Sequence, residues 1–384
     1  MKSEKGKGKK VKIRIGFKFY ILLFTLLTLP GCWDFHEVDK LSYITTVGVD
    51  QMPNRMLNLT IQVPILQTGL PPVITGGQEV KKFYTVNQTA ETVTDALDLL
   101  ETKTVGSLVL NQTKSVIIGE EAAHRNVKPI LDHFIRTNRM PLPAYIFVTD
   151  GVTAEEVLTL EPVQNRLPGT LFITTGQSAT TFDMTNFISH WEFQQKLVHR
   201  SKDTYAPLIS IDKIHRLYII SGLAVFNGNR MAGKLSAYEV EIFGLLTRVQ
   251  KSGLMKFNIS GNKLYLSNVK GKSKLKINID QGNPIFRIET AVHGSITELT
   301  SPKITVSPQD IAEFEKIVAR EIEKRIIDLV KKLQGYNSDI IDFGEELRVR
   351  RQEIWKKTEW KKVFPAVPFS VKVKVHIEGD GRFR

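Results

Sequence analysis

Cysteine occurs once in this chain of 384 residues, at Cys32. A single thiol excludes an intrachain disulfide framework and a cysteine-based metal cluster, so the fold must depend on an ordinary apolar core. Apolar residues make up 42% of the chain, which is enough for such a core, and the length predicts two or three domains.

The residues before Cys32 have the composition of a secretory signal. Eight basic residues and one acidic residue precede an apolar run at 19–29, and Leu29, Pro30 and Gly31 lead into the cysteine. This order is typical of an export signal, and the terminal cysteine favours a bacterial lipoprotein. The alternative of a membrane-spanning helix needs about 20 apolar residues, which the run lacks. We therefore predict a signal peptide at 1–31 and attachment of a diacylglyceryl thioether and an N-acyl chain at Cys32, so that the mature chain is anchored to a lipid bilayer.

The formal net charge of +13 overstates how basic the mature protein is. The signal peptide carries +7 of it and leaves +6 on the remaining chain. Basic residues are densest near the C-terminus, a pattern typical of a solvated helix face; the other interpretation is contact with anionic lipid headgroups, worth about 1 kcal/mol per residue. Export argues against nucleic acid as a partner. These C-terminal residues are Arg348, Arg350, Arg351, Lys356, Lys357, Lys361 and Lys362.

Hydrophobic periodicity predicts an N-terminal α/β region at 32–200. Strands are predicted at 41–49, 57–65, 114–118 and 144–149, and helices at 89–100, 127–136 and 182–198. Thr89 is the predicted N-cap of the first helix, and the spacing of Thr153 and Glu156 predicts a capping box.

The remainder of the chain is predicted as a middle β-rich region at 201–284 and a C-terminal α+β domain at 285–384. A strand at 217–226 turns at Asn227 and Gly228, and a helix at 236–246 follows. Strand-rich sequence at 255–292 precedes a long amphipathic helix at 308–334, where Ser307, Pro308 and Asp310 form a start signal. An alternating strand is predicted at 367–377. The fold class is α+β: multidomain, with mixed and antiparallel sheets, packed helices and a long amphipathic helix near the C-terminus.

Motifs of catalysis and cofactor binding do not occur in the sequence. There is no Gly-rich phosphate loop, no His-Glu-x-x-His and no Gly-x-Ser-x-Gly. Asp34, His36 and Glu37 lie close together, but their spacing matches no standard metal site and favours a solvated segment next to the lipid anchor. We assign no catalytic, cofactor-binding or metal-binding residue and predict that the protein is not an enzyme.

The predicted mature chain begins Cys32-Trp33-Asp34 with Glu37 and Val38 after it, and Gly48-Val49-Asp50 follows. These motifs resemble the start of the Ger(x)C family of spore-germination lipoproteins. Later stretches fit the family in order across nearly the whole chain. One departure is the stretch Arg136 to Arg139, where Thr137 replaces the acidic residue that the family tends to carry after the first arginine. The later stretches are Lys114 to Glu120, the Gly222 to Leu235 hairpin with Glu239 and Gly244 beyond it, Phe343-Gly344-Glu345, Trp360, and Phe364-Pro365.

This resemblance implies the C subunit of a nutrient germinant receptor. Such a subunit lies on the outer face of the spore inner membrane beside two integral membrane subunits, A and B, and has no known enzymatic activity. Two other interpretations stay open: an extracytoplasmic solute-binding lipoprotein that captures the germinant itself, and a cell-envelope hydrolase. The first lacks evidence of two similar α/β lobes, and the second lacks a catalytic constellation.

Overall fold

A computed structural model describes residues 41–65, 81–137, 140–163, 187–247, 253–259, 261–300 and 307–378. The predicted signal peptide, Cys32 and the Cys32-Trp33-Asp34 motif lie outside the described residues. The described residues from Ser42 onward form one compact unit, and the description that follows concerns that unit.

The first part of the unit is built on an eight-stranded mixed sheet with the strand order β10-β9-β8-β7-β6-β2-β3-β4. The pairs β2–β6, β6–β7 and β7–β8 are parallel, and the outer pairs are antiparallel. Strands β6 and β7 are apolar and almost wholly buried, as parallel strands covered on both faces should be. The strands are β2 (Thr46–Gln51), β3 (Leu57–Pro64), β4 (Phe83–Ala90), β6 (Ser115–Ile118), β7 (Tyr145–Thr149), β8 (Tyr205–Asp212), β9 (Leu217–Asn227) and β10 (Arg230–Ser236); β1 (Leu41–Tyr43) pairs separately with β5 (Ser107–Val109).

Helices cover both faces of this sheet. One face holds a core that includes Val49, Ile118, Phe134 and Phe193. The other holds a smaller core around Phe147, where Val157 and Leu158 pack. The helices of this part are α1 (Val93–Glu101), α2 (Glu120–Arg125), α3 (Lys128–Arg136), α4 (Ala154–Thr159) and α5 (His190–Val198).

The second part is a four-stranded sheet in the order β11-β12-β13-β14, with helices on one of its faces. Strands β11 to β13 are antiparallel, whereas β14 returns parallel to β13 after the intervening helices. Its core continues onto Tyr205, Leu223 and Val225 of the first sheet. The elements are α6 (Ala237–Thr247), β11 (Met255–Ile259), β12 (Asn262–Asp280), β13 (Asn283–Leu299), α7 (Pro308–Gly335), α8 (Phe343–Arg350), α9 (Gln352–Trp355), α10 (Trp360–Val363) and β14 (Phe369–Glu378).

The predicted long helix is confirmed as α7. Ser307 accepts a hydrogen bond from the Asp310 N–H while the Asp310 carboxylate accepts one from the Ser307 N–H, and Pro308 occupies the first turn. The apolar stripe is buried at Val318, Ile322 and Ile326 and continues to Leu333. Burial of each such side chain stabilises the fold by about 1.5–3 kcal/mol. Cap and stripe together explain why this segment is helical.

Most of the other predicted elements are confirmed, including the α+β class, the turn at Asn227 and Gly228, and the Thr153–Glu156 capping box. The predicted N-cap at Thr89 is wrong. Thr89 lies in β4 opposite Asn58, and Thr92 caps the helix instead by accepting from the Asp95 N–H. Cross-strand pairing therefore prevails there over local capping propensity.

The predicted helix at 182–198 starts later than expected. Ser189 is its N-cap, and the helix begins at His190 because Tyr145 forms a β-bridge to Ser189. Residues 182–186 lie outside the described residues.

The predicted middle region, 201–284, supplies strands to both sheets. Val148 and Thr149 of β7 pair with Leu208 and Ile209 of β8, so β8 to β10 extend the first sheet, while β11 and β12 belong to the second. The division into three domains remains a prediction. Within the described ranges, no helix combines the length and the apolar character needed to cross a membrane.

Candidate functional site

Several residues of the sequence motifs meet other polar residues in two clusters. One cluster, which we call the inter-sheet junction, contains Asp203, Asn227, Asp339, Trp360 and Lys361. The other, the strand-end cluster, contains Asp50, Glu120, Asp150, Ser221 and Lys234. Every member lies within hydrogen-bonding distance of a polar group described below.

The inter-sheet junction begins with a reciprocal pair of hydrogen bonds between Asp203 and Asp339. Asp203, just before β8, donates its N–H to the Asp339 carbonyl at 3.0 Å, and Asp339, after α7, donates its N–H to the Asp203 carboxylate at 2.7 Å. Beside this pair, the Ser338 hydroxyl donates to the Phe226 carbonyl at 2.6 Å. The segment that follows α7 is thereby bonded directly to the first sheet, at the start of β8 and the end of β9.

The Asp203 carboxylate is almost wholly buried, with 2% of the side chain exposed. Lys361 Nζ donates to both of its oxygens at 2.6 Å and to Asn227 Oδ1 at 2.8 Å. The Gly228 N–H in the β9–β10 turn donates to the same carboxylate at 3.1 Å. The tip of the β9–β10 hairpin is therefore hydrogen-bonded to both members of the Asp203–Lys361 ion pair, and hydrogen bonds to charged groups are roughly twice as strong as neutral ones.

Asp339 is the buried centre of the junction. Its carboxylate accepts from the Phe343 N–H at 3.0 Å, the Gly344 N–H at 2.7 Å and Trp360 Nε1 at 2.9 Å. Burial raises the pKa of Asp339 to about 7, against the opposing effect of these three donors. The residue fixes the start of α8 and the orientation of the Trp360 ring.

Gly344 is required by this packing. A Cβ at that position would lie 2.5 Å from Trp360 Nε1 and 2.8 Å from the Ser201 carbonyl oxygen. Its neighbour Glu345 accepts from Arg348 and from the Ser201 hydroxyl. The Arg348 hydrogen bonds lower the pKa of Glu345 to about 2, so it stays ionised. The Phe343-Gly344-Glu345 motif thus packs and bonds at the contact between the two sheets.

The strand-end cluster lies where β2, β6 and β7 end, at the carboxyl edge of the parallel strands. Asp50 accepts from the Ala154 N–H at 2.7 Å and the Glu155 N–H at 2.9 Å, and so holds the start of α4. A Cβ at Gly119 would lie 2.3 Å from Asp50 Oδ1. Glycine at position 119 therefore leaves room for the Asp50 carboxylate where β2 and β6 end.

Lys234 of β10 connects two of these strand ends. Its Nζ lies 2.6 Å from Glu120 Oε1 and 2.7 Å from Asp150 Oδ1, and the Ser221 hydroxyl donates to Asp150 Oδ2 at 2.6 Å. Partial burial opposes ionisation, but the hydrogen bonds outweigh it: the pKa of Asp150 is lowered and that of Lys234 is raised. Asp150 and Lys234 therefore both stay charged and form an ion pair. A general acid or base instead needs a pKa near the working pH.

The sequence-predicted residues have different outcomes. Cys32, the proposed lipid site, lies outside the described residues. Of the C-terminal basic residues, Lys361 lies in the junction, and others pair along their helices: Arg348 with Glu345, Arg350 with Glu346, Lys356 with Glu353 and Lys362 with Glu359. Within the described ranges, no group of three or more His, Cys, Asp or Glu side chains is placed to hold a metal ion.

Asp203 and Asp339 escaped prediction from the sequence. The stretch around Asp203 has the composition of a polar boundary, and Asp339 follows α7 in what reads as a solvated turn. A signal existed only for their partners, since Trp360 and Gly344 belong to the recognised motifs.

Comparison with known proteins agrees with this arrangement. Residues 34–211 match the spore germination protein N-terminal domain, and residues 221–381 match the spore germination B3/GerAC-like C-terminal family. The chain therefore belongs to the Ger(x)C family of spore germination proteins.

Individual relatives match over almost their entire length. Spore germination protein B3 of Bacillus subtilis (strain 168) is 24% identical over 382 residues, which cover 95% of this chain and 98% of the relative. Spore germination protein GerQC of Bacillus cereus is 24% identical over 94% of this chain and 98% of its own. The crystal structure of the GerBC protein matches with a TM-score of 0.55 and 21% identity over 89% of this chain and 99% of that one, which establishes a shared fold.

Proposed function

We propose that this chain is the non-catalytic C subunit of a nutrient germinant receptor, required for nutrient-triggered spore germination. The proposal depends above all on one observation: both halves of the chain match spore germination families, and its relatives are spore germination proteins.

In this proposal, acyl chains on Cys32 hold the protein on the outer face of the spore inner membrane. The folded part docks on the integral membrane A and B subunits. Ligand binding by the receptor then triggers release of the solutes that the spore stores. The lipoprotein signal in residues 1–32 supports the anchor, because two or three acyl chains give durable membrane attachment.

The polar clusters support a scaffold role. Asp203 and Asp339 serve the contact between the two sheets, and Asp50 serves the start of α4. Because these buried charges hold structural elements together, the subunit presents a rigid surface on which partner subunits can dock.

The first test compares spores that lack this gene with wild-type spores. We expect dipicolinate release after nutrients to be lost, while release after dodecylamine, which bypasses receptors, stays normal. Normal responses to a broad nutrient panel would contradict the proposal and favour a solute-binding lipoprotein, for which purified residues 33–384 should bind a germinant directly.

The anchor is tested separately with Cys32→Ala. We expect the variant to leave the membrane fraction and the nutrient response to weaken. A transmembrane helix fused to the same variant should restore both, which controls for loss of folding. Normal membrane retention of Cys32→Ala would contradict the lipid attachment.

A further inference from the structure

The outer face of the four-stranded sheet carries a ladder of basic residues. Along β12, every second residue from 270 to 276 is an exposed lysine, and the intervening side chains face the core. The neighbouring strands add Arg287 of β13 and two lysines of β14. We call the set the basic sheet face: Lys270, Lys272, Lys274, Lys276, Arg287, Lys372 and Lys374, all exposed.

The register places these side chains in rows across three strands. Lys272, Ala291 and Lys374 form one row, and Lys274, Glu289 and Lys372 form the next. Adjacent strands are about 4.8 Å apart and successive rows about 7 Å apart, so four lysines surround a patch of roughly 10 by 7 Å. The small side chain of Ala291 leaves a depression there of about 390 Å³, lined by these four lysines and Glu289.

The charge on this face is strongly unbalanced. Among the outward-facing positions at 270–276, 287–293 and 370–376, Glu289 is the single carboxylate, and it lies 2.8 Å from Lys276 Nζ and 3.3 Å from Arg287 Nε. Seven cations therefore face one anion. Lys276 and Arg287 lie directly opposite each other on neighbouring strands, and like charges in such positions destabilise a sheet, a cost that a folding role does not explain.

The C-terminal helices provide an internal comparison. Their basic residues alternate with acidic ones, and Lys356 and Lys362 pair with Glu353 and Glu359 three residues away. Most of these basic residues thus have a carboxylate partner nearby, as on a solvated helix face. The basic sheet face lacks such alternation and can attract an extended anionic surface.

We propose that the basic sheet face binds the anionic headgroups of the membrane to which Cys32 anchors the chain. This inference rests on the proposed function for the presence of the bilayer. Lysines on flexible stems reach phosphates across a planar surface, and basic residues close to an anionic leaflet are attracted to it. The anchor brings the chain to the bilayer, and the face sets its orientation there.

The test uses the full acylated chain in vesicles of phosphatidylcholine alone or of phosphatidylcholine with phosphatidylglycerol. An amine-reactive label followed by mass spectrometry reports the accessibility of each lysine. We expect labelling of Lys272, Lys274, Lys372 and Lys374 to fall about tenfold or more on the anionic vesicles and to recover at high salt, since screening removes such attraction. Exposed lysines on α7, Lys316, Lys324 and Lys331, should label equally on both vesicles and serve as internal controls.

A charge variant sharpens the result. In Lys272→Gln/Lys274→Gln/Lys372→Gln/Lys374→Gln, protection of the remaining Lys270 and Lys276 should disappear. The matched variant Lys316→Gln/Lys324→Gln/Lys331→Gln/Lys357→Gln removes the same charge from other exposed positions and should leave that protection unchanged. All these side chains are solvent-exposed, so both variants should fold.

Failure of the anchor and failure of the face give different results. Flotation with neutral vesicles tests acylation of Cys32, whereas lysine protection tests the face. A chain that floats with both vesicles but labels equally on them would overturn the inference and leave an acidic protein surface as the occupant of the face. Protection that persists at high salt or in the sheet variant would also overturn it.

Discussion

The inter-sheet junction and the strand-end cluster use the same chemistry in different surroundings. In each, one lysine lies 2.6–2.7 Å from carboxylate oxygens. Asp203 of the junction is 2% exposed, whereas Glu120 and Asp150 of the strand-end cluster are 26% and 29% exposed. Solvent screens the carboxylates of the strand-end cluster more than Asp203 or Asp339, so loss of a carboxylate from the junction should cost more.

The largest effect is expected for Asp339→Ala. The substitution leaves three buried donors, two backbone N–H groups and Trp360 Nε1, without an acceptor. We expect the free energy of unfolding to fall by about 3–5 kcal/mol. Urea unfolding measures it, with the half-exposed Asp150→Ala as the matched control. Equal losses for the two variants would contradict the comparison.

A smaller effect is expected for Gly344→Ala. The new methyl group would overlap Trp360 and the Ser201 carbonyl, and such overpacking costs about 1–3 kcal/mol. Gly335→Ala is the control, because a Cβ there meets no atom within 4 Å and alanine favours a helix by up to about 1 kcal/mol. The two variants should therefore shift the urea midpoint in opposite directions. A loss of stability in both would show that the space around Gly344 is not the cause.

Burial of Glu241 in α6 should also make the free energy of unfolding depend on pH. Burial raises its pKa from 4.5 to about 7, although the charge of Arg325 acts in the opposite direction. Because the folded-state pKa is the higher one, the stability due to this group is full below about pH 4.5 and is lost as the pH rises through about 7. Relative to wild type, Glu241→Gln should remove about 3 kcal/mol of this pH-dependent change, since one pKa unit corresponds to about 1.4 kcal/mol. Parallel pH profiles of unfolding for the two proteins would rule this out.

The smallest effect is expected for Lys234→Met in the strand-end cluster. Half-exposed ion pairs contribute up to about 1 kcal/mol, so the loss measured by urea unfolding should stay near that figure. The loss should shrink in high salt, as it does for screened charges. A loss as large as that of Asp339→Ala would mean that the strand ends are coupled as tightly as the junction.

Local signals in the sequence predicted much of the fold. The start of α7 follows from Ser307, Pro308 and Asp310, and the β9–β10 turn follows from Asn227 and Gly228, whose φ of +58° suits glycine. The energies of such caps and turns come from atoms within a few residues, so they can be recognised without the rest of the chain. The failure at Thr89 occurred where a strand partner, Asn58, competed with the local cap.

The sequence by itself predicted an export signal that ends at Cys32, and it determined the α+β class, the long helix and the family motifs. Only the tertiary structure decided that Asp203 meets Lys361 158 residues away, and that the lysines of β12 and β14 lie on either side of β13. The physical reason is that capping, turn and periodicity preferences act over a few residues. Ion pairs and charged faces instead depend on the order of strands in the sheets, which the whole core decides.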